Sequence, residues 1–140
     1  MPCLEITVPK LDNETRKCLA ANLTDAFALA SGFPADIFGI RFFEYSIGEA
    51  SNGGNLWDGE NGVPYLHFLL YCPRIKRSVK QKLVSAFTTA YSESIGHPDW
   101  EPVIHICEHP YDNVGVSGEL LSDSYDELAE RPFYFDLSED

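Results

Sequence analysis

The sequence predicts an α+β fold in which two consecutive β-α-β units form a four-stranded mixed sheet with two helices on one face. Three repeated features predict it: a short apolar strand, an amphipathic helix and a second strand each occur twice, in residues 2–47 and again in residues 64–118. A strand, a crossover helix and a second strand pair in parallel through a right-handed connection. Because 140 residues are the size of one domain, both copies are expected to share one core.

The first strand of each copy is predicted from two similar segments, Pro2–Pro9 and Pro64–Tyr71. In this alignment Pro64 is the repeat partner of Pro2, at an offset of 62 residues. The helices that follow align at an offset of 64 residues, which predicts a two-residue insertion in the Pro73–Lys76 region.

Each first strand leads into a helix whose apolar residues recur at i, i+3 and i+4. Gly32 and Gly96 stand where a helix C-terminus needs a left-handed residue, and a proline follows each of them two residues later. The apolar residues are Leu19, Leu23, Ala26, Phe27 and Ala30 in the first copy and Val79, Leu83, Ala86, Phe87, Ala90 and Tyr91 in the second.

The second strand of each copy alternates apolar and polar residues, which is typical of a half-buried strand. Residues 48–63, between the copies, contain five glycines and are predicted to form a loop with a small hairpin around Trp57. With both helices on one side, the other sheet face is expected to expose Leu, Phe and Ile, so oligomerisation is predicted to cover it. The matching strand residues are Ile40, Phe42 and Glu44 in the first copy and Ile104, Ile106 and Glu108 in the second.

The charge is unevenly distributed along the chain. A net charge of −12 argues against non-specific binding to nucleic acid or to an anionic membrane surface. Residues 122–140 are interpreted as an acidic, aromatic C-terminal tail that follows the single domain of residues 1–121. We hypothesise that this tail packs over a neighbouring subunit; deletion of residues 122–140 without a change in oligomeric state or thermal stability would refute this.

The ends of the chain and its cysteines indicate a cytoplasmic protein. The first residues lack a secretory signal, and no apolar run is long enough to cross a bilayer. The four cysteines are widely spaced without a CxxC pair, so neither a disulfide framework nor a metal site is predicted. Met1 precedes a small residue, so its removal is expected, and Pro2 would then carry a free secondary amine.

Five of the ten basic residues lie in residues 74–82, here called the cationic segment. Residues 78–81, Ser-Val-Lys-Gln, form a capping-box pattern, which places Arg74 and Arg77 just before the second helix. Basic residues at a helix N-terminus oppose the helix dipole, so their clustering there suggests a function. Free backbone amides and guanidinium groups together can bind a carboxylate, which predicts an anion site. The alternative is a solvated turn, and Lys80 and Lys82 are interpreted as ordinary helix surface.

Three motifs together resemble the tautomerase superfamily, over residues 2 to about 121. They are Pro2 followed by an apolar strand, the helix start Arg77-Ser78-x-x-Gln81-Lys82, and residues 108–120, which are similar to the glycine-rich hairpin and Glu-Leu at the end of 4-oxalocrotonate tautomerase. Macrophage migration inhibitory factor shares the fold of this superfamily. The resemblance implies a homotrimer of duplicated β-α-β units. It implies no cofactor and no metal.

The resemblance also implies roles for individual residues. Pro2 would be the catalytic general base and acid, because an apolar pocket lowers the pKa of its amine. Arg77 matches the substrate-binding arginine of 4-oxalocrotonate tautomerase, and Arg74 with Arg77 resembles the arginine pair of cis-3-chloroacrylic acid dehalogenase. His105 and Asn113 are further candidates for substrate binding, although a structural role explains either equally.

Departures from the family patterns bear on the type of reaction. The dehalogenase's water-activating glutamate corresponds to Val116 here, which puts water addition in doubt. Asp36 resembles an aspartate of malonate semialdehyde decarboxylase, although an ordinary loop or cap residue is the favoured interpretation.

The sequence therefore predicts a small cytoplasmic keto–enol tautomerase that acts on a 2-oxo or enol carboxylate. Decarboxylation, hydration or dehalogenation of a three-carbon acid at the same site is the enzymatic alternative. A non-catalytic trimeric binding protein is the alternative from another class.

Overall fold

The computed structural model describes residues 2–124. Two short hairpins and a short C-terminal helix accompany the repeated units, and 3-10 turns lie at Ala35–Ile37 and Tyr111–Asn113. In chain order the elements are β1 (Cys3–Pro9), α1 (Asn13–Ser31), β2 (Gly39–Tyr45), β3 (Ser51–Asn52), β4 (Asn55–Leu56), β5 (His67–Cys72), α2 (Arg77–Ile95), β6 (Val103–Glu108), β7 (Gly115–Val116), β8 (Glu119–Leu120) and α3 (Leu121–Ser124).

The main sheet has the strand order β2-β1-β5-β6. Strands β1 and β2 are parallel, β5 and β6 are parallel, and β1 and β5 are antiparallel. Helices α1 and α2 contact each other and share one hydrophobic core with the sheet. This confirms the predicted four-stranded mixed sheet built from two β-α-β units, with both helices on one face.

Alternate strand residues and one stripe of each helix form the core. Every second residue of β1 and β5 is buried, and the helices bury residues that the periodicity predicted. Three aromatic rings stack beside them, with Phe27 4.1 Å from Phe38 and Phe38 6.2 Å from Phe87 between centroids. The main core residues are Leu4, Ile6, Val8, Leu19, Leu23, Phe27, Phe68, Leu70, Cys72, Leu83, Phe87 and Tyr91.

The helix ends agree with the sequence, but one helix start does not. Gly32 and Gly96 have φ values of 76° and 78°, which confirms the predicted left-handed C-caps. Helix α2, however, begins at Arg77, and its N-cap is Lys76, whose carbonyl accepts a 3.1 Å hydrogen bond from the Lys80 amide. The predicted capping box at Ser78 is therefore wrong, because Ser78 already lies inside the helix.

Structurally equivalent residues of the two copies differ by a constant 64 positions in the sequence. The Gly39 amide donates to the Pro2 carbonyl, and the Val103 amide donates to the Leu66 carbonyl in the same way. Leu66 is therefore the repeat partner of Pro2, and both the predicted pairing with Pro64 and the predicted insertion are wrong. A shift of two residues leaves the alternation of a strand unchanged, so the apolar pattern could not distinguish the two alignments.

The sheet face away from the helices is less apolar than predicted. Phe43 and Val103, on the two edge strands, are 43% and 53% exposed there, and the charged residues Glu5 and Arg41 lie on the same face. Within residues 2–124 no isoleucine of the main sheet lies on this face, because Ile6, Ile40, Ile104 and Ile106 pack toward the helices.

The connection between the copies contains the β3–β4 hairpin, which ends just before Trp57. The indole of Trp57 lies edge-on to that of Trp100, with 5.8 Å between ring centroids. Most of the acidic tail, and with it the hypothesis that the tail packs over a neighbouring subunit, lies outside the described residues.

Candidate active site at one end of the sheet

The strand directions gather most of the predicted site residues at one end of the sheet. Strands β1 and β2 begin at this end, whereas β5 and β6 finish there, because Cys3 lies opposite Tyr71 and Tyr71 lies opposite Cys107. Pro2 therefore lies beside the turn from β5 to α2. That turn carries Arg74, and Arg77 is the first residue of α2.

Pro2 is buried at the start of β1, and its carbonyl accepts a 3.3 Å hydrogen bond from the Gly39 amide. Asp36 is an exposed residue of the 3-10 turn that leads into β2, only three positions before Gly39. The fold thus places Asp36 at the same end of the sheet as Pro2. His109, whose amide donates to the Cys72 carbonyl, also lies here, and burial lowers the pKa of its imidazole.

A half-buried carboxylate, that of Glu108, holds the turn and its arginine. Its Oε2 accepts a 2.9 Å hydrogen bond from the Ile75 amide, and its Oε1 contacts Arg74 Nη1 at 3.2 Å and Lys80 Nζ at 2.6 Å. The side chains of Glu108, Arg74 and Lys80 are 13%, 19% and 28% exposed. Charge-assisted contacts of this kind are the stronger class of hydrogen bond.

The first copy has the same arrangement at the opposite end of the sheet. Glu44 accepts a 2.7 Å hydrogen bond from the Leu11 amide and binds Arg16 through Nε at 2.6 Å and Nη2 at 3.0 Å. The Arg16 contact, reinforced by the Leu11 amide, lowers the pKa of Glu44. At the positions of Arg74 and Arg77 this copy has Lys10 and Asn13 instead.

Lys80 is not the ordinary helix surface that the sequence predicted. Its ammonium group reaches back across the start of α2 to Glu108, as the Arg16 guanidinium reaches Glu44. Lys82 is exposed, as expected. Glu44 and Glu108 could have been found from the sequence, because each is a carboxylate at an inward position of a half-buried strand and so needs a partner.

The second arginine of the site, Arg77, is more exposed to solvent than Arg74. Arg77 is exposed and borders a groove of about 680 Å³ along α2, together with Lys80 and Gln81. An anion at this helix start would therefore meet one solvent-exposed guanidinium, that of Arg77, and one that is already paired with a carboxylate, that of Arg74.

His105 lies on the sheet face away from the helices. Its Nδ1 is 2.7 Å from Nε2 of His67, and the two ring centroids are 4.9 Å apart. Burial, and to a smaller extent His105, lower the pKa of His67. The structure thus places a predicted substrate-binding residue in contact with a second histidine.

Asn113 is exposed at the end of the 3-10 turn that follows β6, where its amide donates to the Pro110 carbonyl at 3.0 Å. The chain then forms the β7–β8 hairpin, with Ser117 and Gly118 at φ values of 56° and 86°. This hairpin agrees with the glycine-rich one that the resemblance implied.

Two features are absent from residues 2–124. In this part of the chain no three His, Cys, Asp or Glu side chains lie together as a metal site would need. None of the described helices is long and apolar enough to cross a membrane.

Comparison with known proteins agrees with the fold. A model of the tautomerase family, described as tautomerase enzyme, matches residues 64–124, which include the cationic segment and the C-terminal hairpin. The second half of the chain is therefore similar to the tautomerase family. No curated protein matches it at a significant level.

Solved structures of tautomerase-superfamily proteins share the fold over nearly their whole length. The trimer "F6 fused 4-OT wild type" has a TM-score of 0.75 at 20% identity, with 87% of this chain and 98% of that chain covered. Pt0534 inactivated by 2-oxo-3-pentynoate has a TM-score of 0.75 at 22% identity, covering 87% and 97%. Malonate semialdehyde decarboxylase has a TM-score of 0.72 at 15% identity, covering 90% and 98%.

Proposed function

We propose that this protein is a cofactor-independent keto–enol tautomerase that acts on a small 2-oxo or enol carboxylate. One observation carries the proposal: the sheet register brings the amino end of β1, with Pro2, to the turn and helix start that carry Arg74 and Arg77. A base and two carboxylate-binding groups then share one end of the sheet.

The reaction needs a neutral amine and a site for an anion. With Met1 removed, Pro2 is a secondary amine whose ordinary pKa is about 8 and whose cation is disfavoured by burial. In the ketonisation direction it takes the proton of the enol hydroxyl and delivers a proton to the neighbouring carbon, so that the C=C bond is replaced by a C=O bond. In the reverse direction it takes that α-proton and the oxygen is protonated. Arg74 and Arg77 bind the carboxylate and stabilise the enolate that develops between these steps.

The proposed enzyme is a cytoplasmic homotrimer with no metal. The trimer of the fused 4-OT supports this assembly, and subunits would bury the exposed apolar side chains Phe43 and Val103 on the sheet face away from the helices. In addition to Pro2, Arg74 and Arg77, we propose His105 and Asn113 as candidate substrate contacts.

Asp36 favours a second candidate reaction at the same site. It lies at the Pro2 end of the sheet, and the related malonate semialdehyde decarboxylase has decarboxylase and hydratase activities. Loss of malonate semialdehyde decarboxylation in Asp36→Asn, with phenylenolpyruvate ketonisation retained, would assign Asp36 to that reaction. Absence of decarboxylation in the unmodified protein would exclude it.

Ketonisation of phenylenolpyruvate tests the main proposal. Pro2→Ala and a variant that retains Met1 are expected to lose about 100-fold or more in kcat/KM, because each removes the free secondary amine. Arg74→Ala is expected to raise KM, whereas Lys10→Ala, its repeat equivalent at the other end of the sheet, is expected to leave KM unchanged. Full turnover without the Pro2 amine would overturn the mechanism, and no turnover in any form would favour a binding protein.

A further inference from the structure

We propose that Glu108 is a positioning residue that holds Arg74 in place to bind the substrate carboxylate, and that Lys80 makes this possible by occupying only part of the Glu108 carboxylate. The inference rests on the function proposed above and names what orients the anion site.

The two copies hold their strand-end carboxylates to the following turn in the same way. In the first copy the Leu11 amide donates to Glu44 at 2.7 Å, and in the second the Ile75 amide donates to Glu108 at 2.9 Å. These residues are related by the repeat offset of 64. Because the first copy makes this contact without carrying the proposed anion site, the contact to the turn is a property of the fold.

The basic partner differs between the copies. Arg16 binds both oxygens of Glu44, at 2.6 Å and 3.0 Å, and also donates to the Leu11 carbonyl at 2.9 Å. A guanidinium that spans a carboxylate in this way occupies the positions that another cation would use. Lys10, the residue equivalent to Arg74, is exposed there.

The second copy has a lysine where the first has Arg16. The Lys80 ammonium contacts only Oε1 of Glu108, at 2.6 Å, and the same oxygen accepts from Arg74 Nη1 at 3.2 Å. Arg74 is 19% exposed and is held at the end of β6, at the same end of the sheet as the start of β1. An arginine ordered before the ligand arrives loses less side-chain entropy on binding.

The expected effect is on ligand affinity and not on the chemistry at Pro2. If Glu108 acted only through its charge, its removal would leave a more positive site and would strengthen anion binding. If Glu108 positions Arg74, its removal weakens anion binding although the site becomes more positive. The two possibilities therefore predict changes of opposite sign.

Covalent labelling of Pro2 by 2-oxo-3-pentynoate separates affinity from reactivity. The amine nitrogen adds to C4 of the alkynyl ketone and its proton ends on C3, so the protein mass rises by that of the whole reagent. The concentration dependence yields an inactivation constant KI, which reports carboxylate binding, and a maximal rate, which reports the Pro2 amine. Mass spectrometry of the full chain measures both.

Glu108→Gln is expected to raise KI about 10-fold with the maximal rate changed less than about 2-fold, the size expected from losing one hydrogen bond between charged groups. Glu44→Gln is the matched control, because it weakens the same contacts at the other end of the sheet, and it is expected to leave KI unchanged. Lys80→Arg is expected to raise KI without lowering the urea midpoint, because an arginine there spans Glu108 as Arg16 spans Glu44 and displaces Arg74.

An unchanged or lower KI in Glu108→Gln would overturn the positioning role while leaving the proposed tautomerase intact. A KI for Lys80→Arg equal to that of the unmodified protein would overturn it as well, and this variant keeps the fold if Glu108→Gln does not. Failure of the unmodified protein to become labelled at Pro2 would refute the proposed function, and the positioning role with it.

Discussion

Replacing Tyr91 with phenylalanine is expected to stabilise the protein, although it removes a polar group from the buried face of α2. Tyr91 is 0% exposed, and its hydroxyl oxygen has no hydrogen-bond partner within the described residues. A buried hydroxyl without a partner costs about 1–3 kcal/mol, whereas the void left by one oxygen, about 10–15 Å³, costs only about 0.3 kcal/mol. The ring stays edge-on to Phe68, and Phe27 occupies the equivalent position of the first copy.

The net expectation for Tyr91→Phe is a free energy of unfolding about 1–2 kcal/mol higher, measured by urea denaturation at one fixed protein concentration. Tyr45→Phe is the matched control, since the Tyr45 hydroxyl donates a 2.5 Å hydrogen bond to the Tyr65 carbonyl and its loss should destabilise. A Tyr91→Phe variant less stable than the unmodified protein by more than about 0.5 kcal/mol would show that the hydroxyl is satisfied and would refute the reasoning.

Three further predictions concern caps and charges. Asp12→Ala is expected to cost about 1 kcal/mol in urea unfolding, because the Thr15 amide loses its 2.7 Å acceptor; no loss would mean that water replaces the cap. Gly96→Ala is expected to cost about 1 kcal/mol at its φ of 78°, whereas Gly39→Ala, whose φ is not positive, should be near neutral by thermal unfolding. Glu44 has a lowered pKa in the fold, so its stabilisation is present above about pH 4.5 and is lost as the pH falls through the folded pKa. Glu44→Gln should therefore show a shallower loss of stability on acidification, and an unchanged acid profile would contradict this.

Much of the fold could be predicted because it depends on local chemistry. The apolar periodicity and the glycine that ends each helix are local signals, and Gly32 and Gly96 have the left-handed conformations that their positions implied. The alignment of the two copies is a long-range property. It was wrong by two residues at the first strands because Pro64 resembles Pro2 in type, whereas the hydrogen bond from Val103 identifies Leu66 as the equivalent residue.

The candidate site was only partly predictable for a related reason. Pro2 and the arginines could be recognised by residue type and position, and their roles remain predictions. The contribution of Lys80 could not be recognised, because a lysine on a helix looks like surface until the strand that ends beneath it is known. Glu108 is 28 positions away from Lys80 in the chain, and no local pattern reports an ion pair at that separation.

The amino-acid sequence by itself determined that two β-α-β units would form, where their helices would end, and that one helix start would be basic. Periodicity, glycine conformation and charge act over a few residues, so they can be recognised along the chain. Only the tertiary structure decided that Glu108 is shared between Arg74 and Lys80, while Glu44 is spanned by Arg16. These contacts depend on which strand ends beside which helix, and the pairing of β1 with β5 sets that arrangement for the whole sheet.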